Sequence, residues 1–169
     1  RKIFMVDLKI VDDNGKRLPE DGKNVGNLYI RGNTIAGGYY NNEEASKAAI
    51  DDEGYFGTGD VASIDEQGFL RLTDRAKDLI KSGGEWISSL DLENRAMSHP
   101  DVENCAVIAI AHEKWDQRPL LVVVPVEGKK PSKEELIKHL EGHFAKWQMP
   151  DDVVYEDELP LTATGKVSK

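Results

Sequence analysis

Apolar and polar positions alternate in short segments over the first part of the chain, which is the pattern of β-strands. The segment Gly26 to Gly32 shows it most clearly, because glycines bound it at both ends. Glu66-Gln67-Gly68 predicts a hairpin turn between two further strands. We therefore expect residues 1–74 to form a small, mostly β unit. Its predicted strands are 5–11, 26–32, 61–65 and 69–73, and one short helix is predicted at 43–50, capped by Asn41 or Asn42.

The pattern changes after Asp74, where longer apolar runs and helical spacing begin. Ser132 and Glu135 form a capping-box sequence, so a helix is predicted to begin there. The apolar stripe of that helix is predicted to be Leu136, Leu140, Phe144 and Trp147. The other predicted elements are short strands at 78–81 and 85–87, a helix at 89–98 capped by Ser88 or Ser89, apolar strands at 105–111 and 120–126 around a polar loop at 112–119, and a last strand at 153–155. The fold class is thus α+β, a β-rich subdomain followed by a compact unit with helices on a small sheet.

Composition and charge argue against several classes of function. The 169 residues are 39% hydrophobic and 31% charged, which is enough for a packed core. With 22 Lys and Arg against 31 Asp and Glu, the net charge of -9 argues against a nucleic-acid or anionic-membrane partner. No apolar run approaches the ~18 residues of a membrane-spanning helix. Cys105 is the only cysteine, which excludes an internal disulfide and a cysteine-based zinc site, and we predict no metal site in this chain.

Two polar segments in the first half of the chain have a possible role in binding. Residues 57–60 are Gly-Thr-Gly-Asp, and such glycines let a ligand approach the backbone closely. Asp60 is able to accept two hydroxyl hydrogen bonds, as from a ribose diol, or simply to cap a turn. Residues 74–78 join the two patterns, so they form either a linker with a hinge or a surface loop with ion pairs.

Two more segments of this kind lie in the second half. Gly83 and Gly84 separate two short strands, so they form either a plain hairpin turn or a flat passage against which an extended ligand lies. Residues 162–166 are Thr-Ala-Thr-Gly-Lys, but Pro160 stands where a phosphate loop has its first glycine, so this is not a Walker A sequence. Lys166 is either an ordinary solvated lysine or a point charge that reaches a phosphate or carboxylate.

The order of the motifs is more specific than any one of them. The chain contains, in sequence, 26–32 with Gly38-Tyr39, 55–60, 74–84 and 159–166. This order resembles the adenylate-forming superfamily of acyl-CoA synthetases, peptide-synthetase adenylation domains and firefly luciferase, over essentially the whole chain. Within the superfamily, residues 81–89 and the later 112–115 with Arg118-Pro119 most resemble fatty or medium-chain acyl-CoA ligases. Asp116-Gln117 stands where such ligases often have Gly-Glu, which weakens the subfamily assignment alone.

The resemblance implies a two-step reaction in one active site. A carboxylic (fatty) acid and Mg-ATP give an acyl-adenylate and pyrophosphate, and CoA then converts the adenylate to the thioester and AMP. Asp60 would accept the ribose hydroxyls of ATP and AMP, and Arg75 would support the same ribose. Lys166 would enter for adenylation, orienting the acyl carboxylate and offsetting charge near the α-phosphate.

The resemblance implies that residues 75–169 form a C-terminal lid over the active site. This lid must change position for the second half-reaction, because CoA enters where the groups that act in adenylation stood. By resemblance Lys77 is the hinge of that movement. Gly83 and Gly84 would line the pantetheine passage, where a side chain would obstruct it. Lys81 lies on the same lid face and would assist thioester formation.

The sequence lacks the Ser/Thr/Gly-rich phosphate loop, the acyl pocket and most of the adenine site that the resemblance implies. We therefore expect residues 1–74 to be the last β-rich part of a large N-terminal domain and residues 75–169 to be its C-terminal lid, inactive as an isolated fragment. Mg²⁺ would be bound outside these residues. The alternatives are an adenylation domain that loads a carrier protein, and a non-catalytic module that binds a nucleotide or a partner. A cytoplasmic location is expected, while the sequence determines neither the acyl substrate nor the oligomeric state.

Overall fold

A computed structural model describes residues 4–169 of the chain. It divides into two compact units, the first ending at Lys77 and the second running from Asp78 to Lys169. The predicted boundary after Asp74 lies three residues earlier. The helices among residues 4–169 are all too short or too polar to cross a membrane.

The first unit is a four-stranded antiparallel sheet in the order β1-β2-β3-β4. Alternation places Leu8, Ile10 and Leu28 on one face, where they pack with Ala62 and Ile64 as a small apolar core. The elements are β1 (Val6–Val11), β2 (Gly26–Gly32), α1 (Glu43–Ala49), β3 (Phe56–Ile64) and β4 (Leu70–Arg75).

Two predictions for this unit have different outcomes. The short helix is confirmed, and its N-cap is Asn42, whose side chain accepts a hydrogen bond from the Ala45 N–H. The strand predicted at 61–65 begins earlier, at Phe56, so residues 57–60 lie within β3 and form no turn. The Thr58 hydroxyl bonds the Leu28 carbonyl across the strands, which holds this glycine-rich stretch on the sheet.

The second unit is a five-stranded sheet in the order β6-β5-β8-β7, with β9 parallel to β8. Both of its longer helices contribute buried leucines, Leu92 from one and Leu136 and Leu140 from the other, to one core with the sheet. The elements are β5 (Ile80–Ser82), β6 (Glu85–Ile87), α2 (Ser89–Ala96), β7 (Val102–His112), β8 (Asp116–Pro125), α3 (Lys133–Leu140) and β9 (Asp152–Tyr155). The predicted α+β class is confirmed.

The long β7–β8 hairpin corrects one prediction. Residues 112–119 were expected to form a polar loop, yet Gln117 and Arg118 pair with Ala111 and Ile110 in the ladder. Only residues 113–115 connect the strands. A ladder needs backbone groups alone, so polar side chains extend it wherever they find partners.

The predicted apolar stripe of α3 is also partly wrong. The capping box of Ser132 and Glu135 is present, but the helix ends at Leu140, and Gly142 follows with a φ of 79°. Phe144 still packs against the core from outside the helix. Trp147 lies in a separate 3₁₀ turn, Lys146–Gln148, and is 43% exposed.

Candidate functional site

Asp60 and Arg75 lie side by side on β3 and β4. They are direct partners in the antiparallel ladder, and Arg75 Nε is 3.2 Å from Asp60 Oδ1. The Arg75 side chain is 56% exposed and that of Asp60 26%, so solvent screens the pair and it contributes little to stability. The predicted ribose contacts are therefore brought together by strand pairing, with the carboxylate still accessible.

The glycines before Asp60 serve different purposes. Gly59 has a φ of 73°, a left-handed conformation that favours glycine, and a side chain there would meet nothing within 4 Å. A Cβ at Gly57 would lie 3.2 Å from the Tyr29 ring. Gly57 thus makes room for packing, whereas Gly59 leaves open space next to Asp60.

Lys77 is the last residue of the first unit. It lies two residues beyond the end of β4, and the N–H of the intervening Ala76 bonds the Gly59 carbonyl at 2.9 Å. The backbone up to Ala76 is therefore fixed to the Asp60 strand, and the division between the units falls immediately after Lys77. This position is compatible with a hinge, which stays a prediction.

Gly83 and Gly84 form the two-residue turn between β5 and β6, with φ values of 60° and 87°. A Cβ at Gly83 would lie 2.8 Å from the Trp115 ring, and the Gly83 N–H bonds the Trp115 carbonyl at 2.9 Å. A Cβ at Gly84 would meet nothing within 4 Å. The pair predicted to line a passage thus separates into a packed glycine and an open one.

Lys81 lies on the same hairpin, with its side chain exposed. Its backbone N–H bonds Gln117 Oε1 at 2.8 Å, and its Nζ is 5.8 Å from the centre of the Trp86 ring. Asp116, the neighbour of Gln117, has a φ of 68° and pairs with Ser82. The two residues that depart from the expected Gly-Glu therefore both support the glycine hairpin.

A cavity of about 500 Å³ lies beside this hairpin. It is lined by Ser82, Gly83, Glu85, His112, Trp115, Arg118, Trp147 and Asp151. Trp115 and Trp147 give this cavity flat apolar walls, and Glu85 and Asp151 contribute carboxylates. Its walls belong to the second unit alone.

Arg118 builds the floor of this cavity. Its guanidinium donates to Ser82 Oγ at 3.0 Å, to Asp151 Oδ1 from two nitrogens at 2.9 and 2.7 Å, and to the backbone carbonyls of Trp147 and Met149. Only 8% of the residue is exposed. All three guanidinium nitrogens are thus engaged, so Arg118 joins the hairpin to the 147–151 segment.

Lys166 lies on a separate hairpin near the end of the chain. Leu161 pairs with Val167, the Thr162 N–H bonds the Lys166 carbonyl at 2.7 Å, and Gly165 takes a φ of 75°. The Lys166 side chain is exposed at this tip. The turn therefore presents the lysine to solvent with its backbone fixed.

Cys105 and His139, which carry a nucleophilic and a ligating group, are both engaged in contacts within the second unit. Cys105 is buried and donates to the Glu93 carbonyl, and burial raises the pKa of its thiol to about 12, so it is a poor nucleophile at neutral pH. His139 packs edge-on against His99 and lies 2.9 Å from Ser98 Oγ. Within residues 4–169, no three His, Cys, Asp or Glu side chains are grouped to hold a metal ion.

Sequence reasoning did not identify the supporting partners of the site. Trp115 over Gly83, Gln117 on Lys81 and the several acceptors of Arg118 all join residues more than 25 positions apart. One signal was available for Arg118, because a cation beside the apolar run of a predicted strand requires buried partners. No comparable signal exists for Trp115 or Gln117.

Residues 91–166 match the protein family described as the AMP-binding enzyme C-terminal domain. The chain is 53% identical over 168 residues to a long-chain-fatty-acid–CoA ligase of Thermus thermophilus, and this match covers 99% of the chain and 31% of the relative. It is 51% identical over 169 residues to a 3-methylmercaptopropionyl-CoA ligase of Ruegeria lacuscaerulensis, covering 100% of the chain and again 31% of the relative.

A solved structure gives the same result for the fold. The o-succinylbenzoate CoA synthetase of Bacillus subtilis, determined with its acyl-adenylate intermediate, superposes with a TM-score of 0.89 at 32% identity, covering 98% of this chain and 33% of that one. The chain therefore belongs to the adenylate-forming superfamily, and its second unit contains the AMP-binding enzyme C-terminal domain. It spans about a third of the length of the acyl-CoA ligases that it matches, in their C-terminal part. The resemblance drawn from the motifs is confirmed, whereas the roles of single residues stay predictions.

Proposed function

We propose that the chain acts as the C-terminal part of an AMP-forming acyl-CoA ligase, which joins a carboxylic acid to CoA through an acyl-adenylate. The observation that carries this proposal is the 53% identity to a fatty-acid–CoA ligase over 99% of the chain. The geometry of the candidate residues is compatible with it in both half-reactions.

In the adenylation step, Asp60 and Arg75 bind the ribose and Lys166 stabilises charge. The accessible Asp60 carboxylate has unused acceptor capacity for a diol, and Arg75 holds it in place. Lys166 carries its ammonium at the exposed tip of a fixed turn, where it is able to reach a carboxylate and a phosphate. A preorganised charge of this kind is worth ~10² to 10³ in rate. Mg²⁺ accompanies ATP, and we assign it no ligand in this chain.

In the thioester step, the open glycine Gly84 forms the contact surface for the pantetheine arm of CoA. Its lack of a side chain leaves free space, whereas at Gly83 the Trp115 ring occupies the place where a side chain would begin. Lys81 projects from the same hairpin. Lys77, at the division between the units, is the hinge that exchanges the Lys166 and Gly84 surfaces.

The identity of the acid is set outside this chain. Two relatives that are 53% and 51% identical to it are described as ligases for a long-chain fatty acid and for 3-methylmercaptopropionate. Nearly equal similarity to ligases for such different acids indicates that this region serves the common chemistry of ATP and CoA. The cytoplasmic location stays a prediction.

The test is acid- and CoA-dependent AMP release by the complete gene product that contains this sequence, over a panel of carboxylic acids. We expect AMP release to require both acid and CoA. In K166A, we expect pyrophosphate exchange to fall ~10²- to 10³-fold while the variant still converts preformed acyl-adenylate and CoA to thioester. The exposed lysine Lys130 provides a matched control, K130M, with unchanged rates.

Other outcomes would replace this proposal. Adenylate formation without any effect of CoA would indicate an enzyme that loads a carrier protein. Nucleotide binding without any adenylate would indicate a non-catalytic module. The isolated 169 residues are expected to show no pyrophosphate exchange, and exchange by them would contradict the assignment of the chain as one part of the active site.

A further inference from the structure

The side chain of Lys169 is held against helix α2. Its Nζ lies 2.6 Å from Glu93 Oε1 and 2.7 Å from Ser89 Oγ. The Lys169 and Glu93 side chains are only 15% and 14% exposed. An ion pair so well removed from solvent, with an additional hydroxyl partner, fixes its lysine far more firmly than an exposed pair does.

Glu93 is itself fixed by the sheet. Its Oε1 also accepts a hydrogen bond from the backbone N–H of Val107 on β7, at 2.7 Å. One carboxylate oxygen therefore joins three parts of the second unit, namely helix α2, strand β7 and the end of the chain. Lys169 is bound to the rigid framework of the unit through this oxygen.

The segment between Lys166 and Lys169 transmits this attachment to the hairpin. Val167 packs against the cluster of Ala106, Val124 and Leu159, and the Ser168 N–H bonds the Pro160 carbonyl at 2.8 Å. Two residues, Val167 and Ser168, separate the exposed Lys166 from the anchored Lys169, and both have contacts of their own. The part of the hairpin that follows its turn therefore has little freedom while Lys169 is paired with Glu93.

We propose that Lys169 and Glu93 are positioning residues, which fix the 161–167 hairpin so that Lys166 is correctly placed for adenylation. This inference rests on the proposed function of Lys166. Neither residue touches substrate in this mechanism. A displacement of a reacting group by about 1 Å is able to cost ~10² in rate, so release of the hairpin lowers the rate without removing the catalytic lysine.

The experiment compares K169M with K169R and K130M in the complete gene product, with K166A as the reference. We expect K169M to lower kcat for pyrophosphate exchange ~10- to 100-fold and to leave thioester formation from preformed adenylate within about twofold of the unaltered enzyme. K169R keeps the charge and reach, so it retains most of the exchange rate. K130M, which alters an exposed lysine of the same unit, leaves both rates unchanged.

A double-mutant cycle tests the pairing itself. E93Q weakens the ion pair but keeps an oxygen for the Val107 N–H. K169M should therefore cause much less loss in the E93Q background than alone. Additive losses would show that Lys169 does not act through Glu93 and would overturn the proposal.

The remaining outcomes separate this inference from the function on which it rests. If K166A loses exchange but K169M does not, the positioning role is wrong and the function of Lys166 stands. If K166A keeps full exchange, the proposed function fails first. If K169M lowers both half-reactions equally, together with the thermal midpoint, its role is general stability and the positioning role is overturned.

Discussion

Each of the two units buries a cation, and they neutralise it in different ways. Among residues 4–169, the buried Lys and Arg side chains are Lys9, 4% exposed, in the first unit and Arg118, 8% exposed, in the second. The charge of Lys9 is balanced by two carboxylates, whereas Arg118 is held chiefly by hydrogen bonds in fixed directions.

Lys9 lies between two carboxylates and an aromatic ring. Its Nζ is 2.7 Å from both Asp51 Oδ2 and Glu53 Oε1, and 4.5 Å from the centre of the Tyr55 ring. Both carboxylates belong to the turn that leads into β3. The lysine thus attaches that turn to β1, in a unit whose helix α1 buries no residue.

Arg118 meets one carboxylate and several neutral acceptors. Asp151 takes two of its hydrogen bonds, and Ser82 with two backbone carbonyls takes the rest. Only a planar guanidinium has donors in so many fixed directions. The comparison indicates that the ammonium of Lys9 is replaceable by another cation, whereas the shape of Arg118 is essential.

The largest effect is expected for R118M in the second unit. Loss of the guanidinium leaves Asp151, Ser82 and two carbonyls without donors, so the free energy of unfolding should fall by about 3 to 4 kcal/mol. Tryptophan fluorescence during urea unfolding measures this, since Trp86, Trp115 and Trp147 all belong to the second unit. R118K should cost nearly as much, and a cost under 1 kcal/mol for R118K would contradict the argument from shape.

A smaller effect is expected for K9M in the first unit, where both carboxylates retain some contact with water. We expect the free energy of unfolding of that unit to fall by about 2 kcal/mol, and K9R to retain most of it. The near-ultraviolet circular dichroism of tyrosine reports chiefly on this unit, which contains four of the five tyrosines, Tyr29, Tyr39, Tyr40 and Tyr55. Equal losses in K9R and K9M would show that shape governs this site as well.

The contribution of the Lys9 ion pairs to stability depends on pH. Burial works against the Lys9 charge, but Asp51 and Glu53 outweigh it and hold the pKa of Lys9 above 10.5. Burial likewise opposes the Asp51 charge, yet Lys9 and backbone donors hold the pKa of Asp51 below 3.8. The stability difference between the unaltered protein and K9M should therefore be constant near neutral pH. It should shrink as pH falls through the lowered pKa of Asp51 or rises through the raised pKa of Lys9.

The smallest effect is expected for D116G, beside the Arg118 network. Asp116 has a φ of 68°, which is strained for a residue with a Cβ, although aspartate tolerates it better than most. Glycine removes that strain but has more freedom in the unfolded chain, so we expect a gain of only about 0.5 kcal/mol. Tryptophan fluorescence again measures it, and a loss above 0.5 kcal/mol would show that the Asp116 side chain makes a favourable contact.

The sequence predicted the parts of the fold that depend on local pattern. The strand Gly26–Gly32, an N-cap at Asn41 or Asn42 and the Ser132–Glu135 capping box are predictable because neighbouring residues determine them. The early start of β3 at Phe56 and the extension of β8 to Asp116 were missed, since strand length depends on a distant partner.

In the candidate site, too, the sequence predicts what depends on local motifs and not what depends on distant partners. Motif order located Asp60, Arg75, Gly83, Gly84 and Lys166, and strand pairing brings the first two together. The pair proposed to position Lys166 is not predictable, because Lys169 and Glu93 are 76 positions apart and meet through tertiary packing. Arg118 belongs to one of the motifs, but its burial depends on segments that no local pattern joins.

The contact between Gly83 and Trp115 has a consequence for how this region is able to vary during evolution. The indole ring occupies the space where a side chain at position 83 would begin, at 2.8 Å from its Cβ. Substitutions at the two positions should therefore be coupled in related sequences: a residue larger than glycine at position 83 should occur together with a smaller residue at position 115, and rarely with tryptophan. Gly84, where a Cβ would meet nothing within 4 Å, is free of this contact, and its own preference for glycine comes from its backbone φ of 87°.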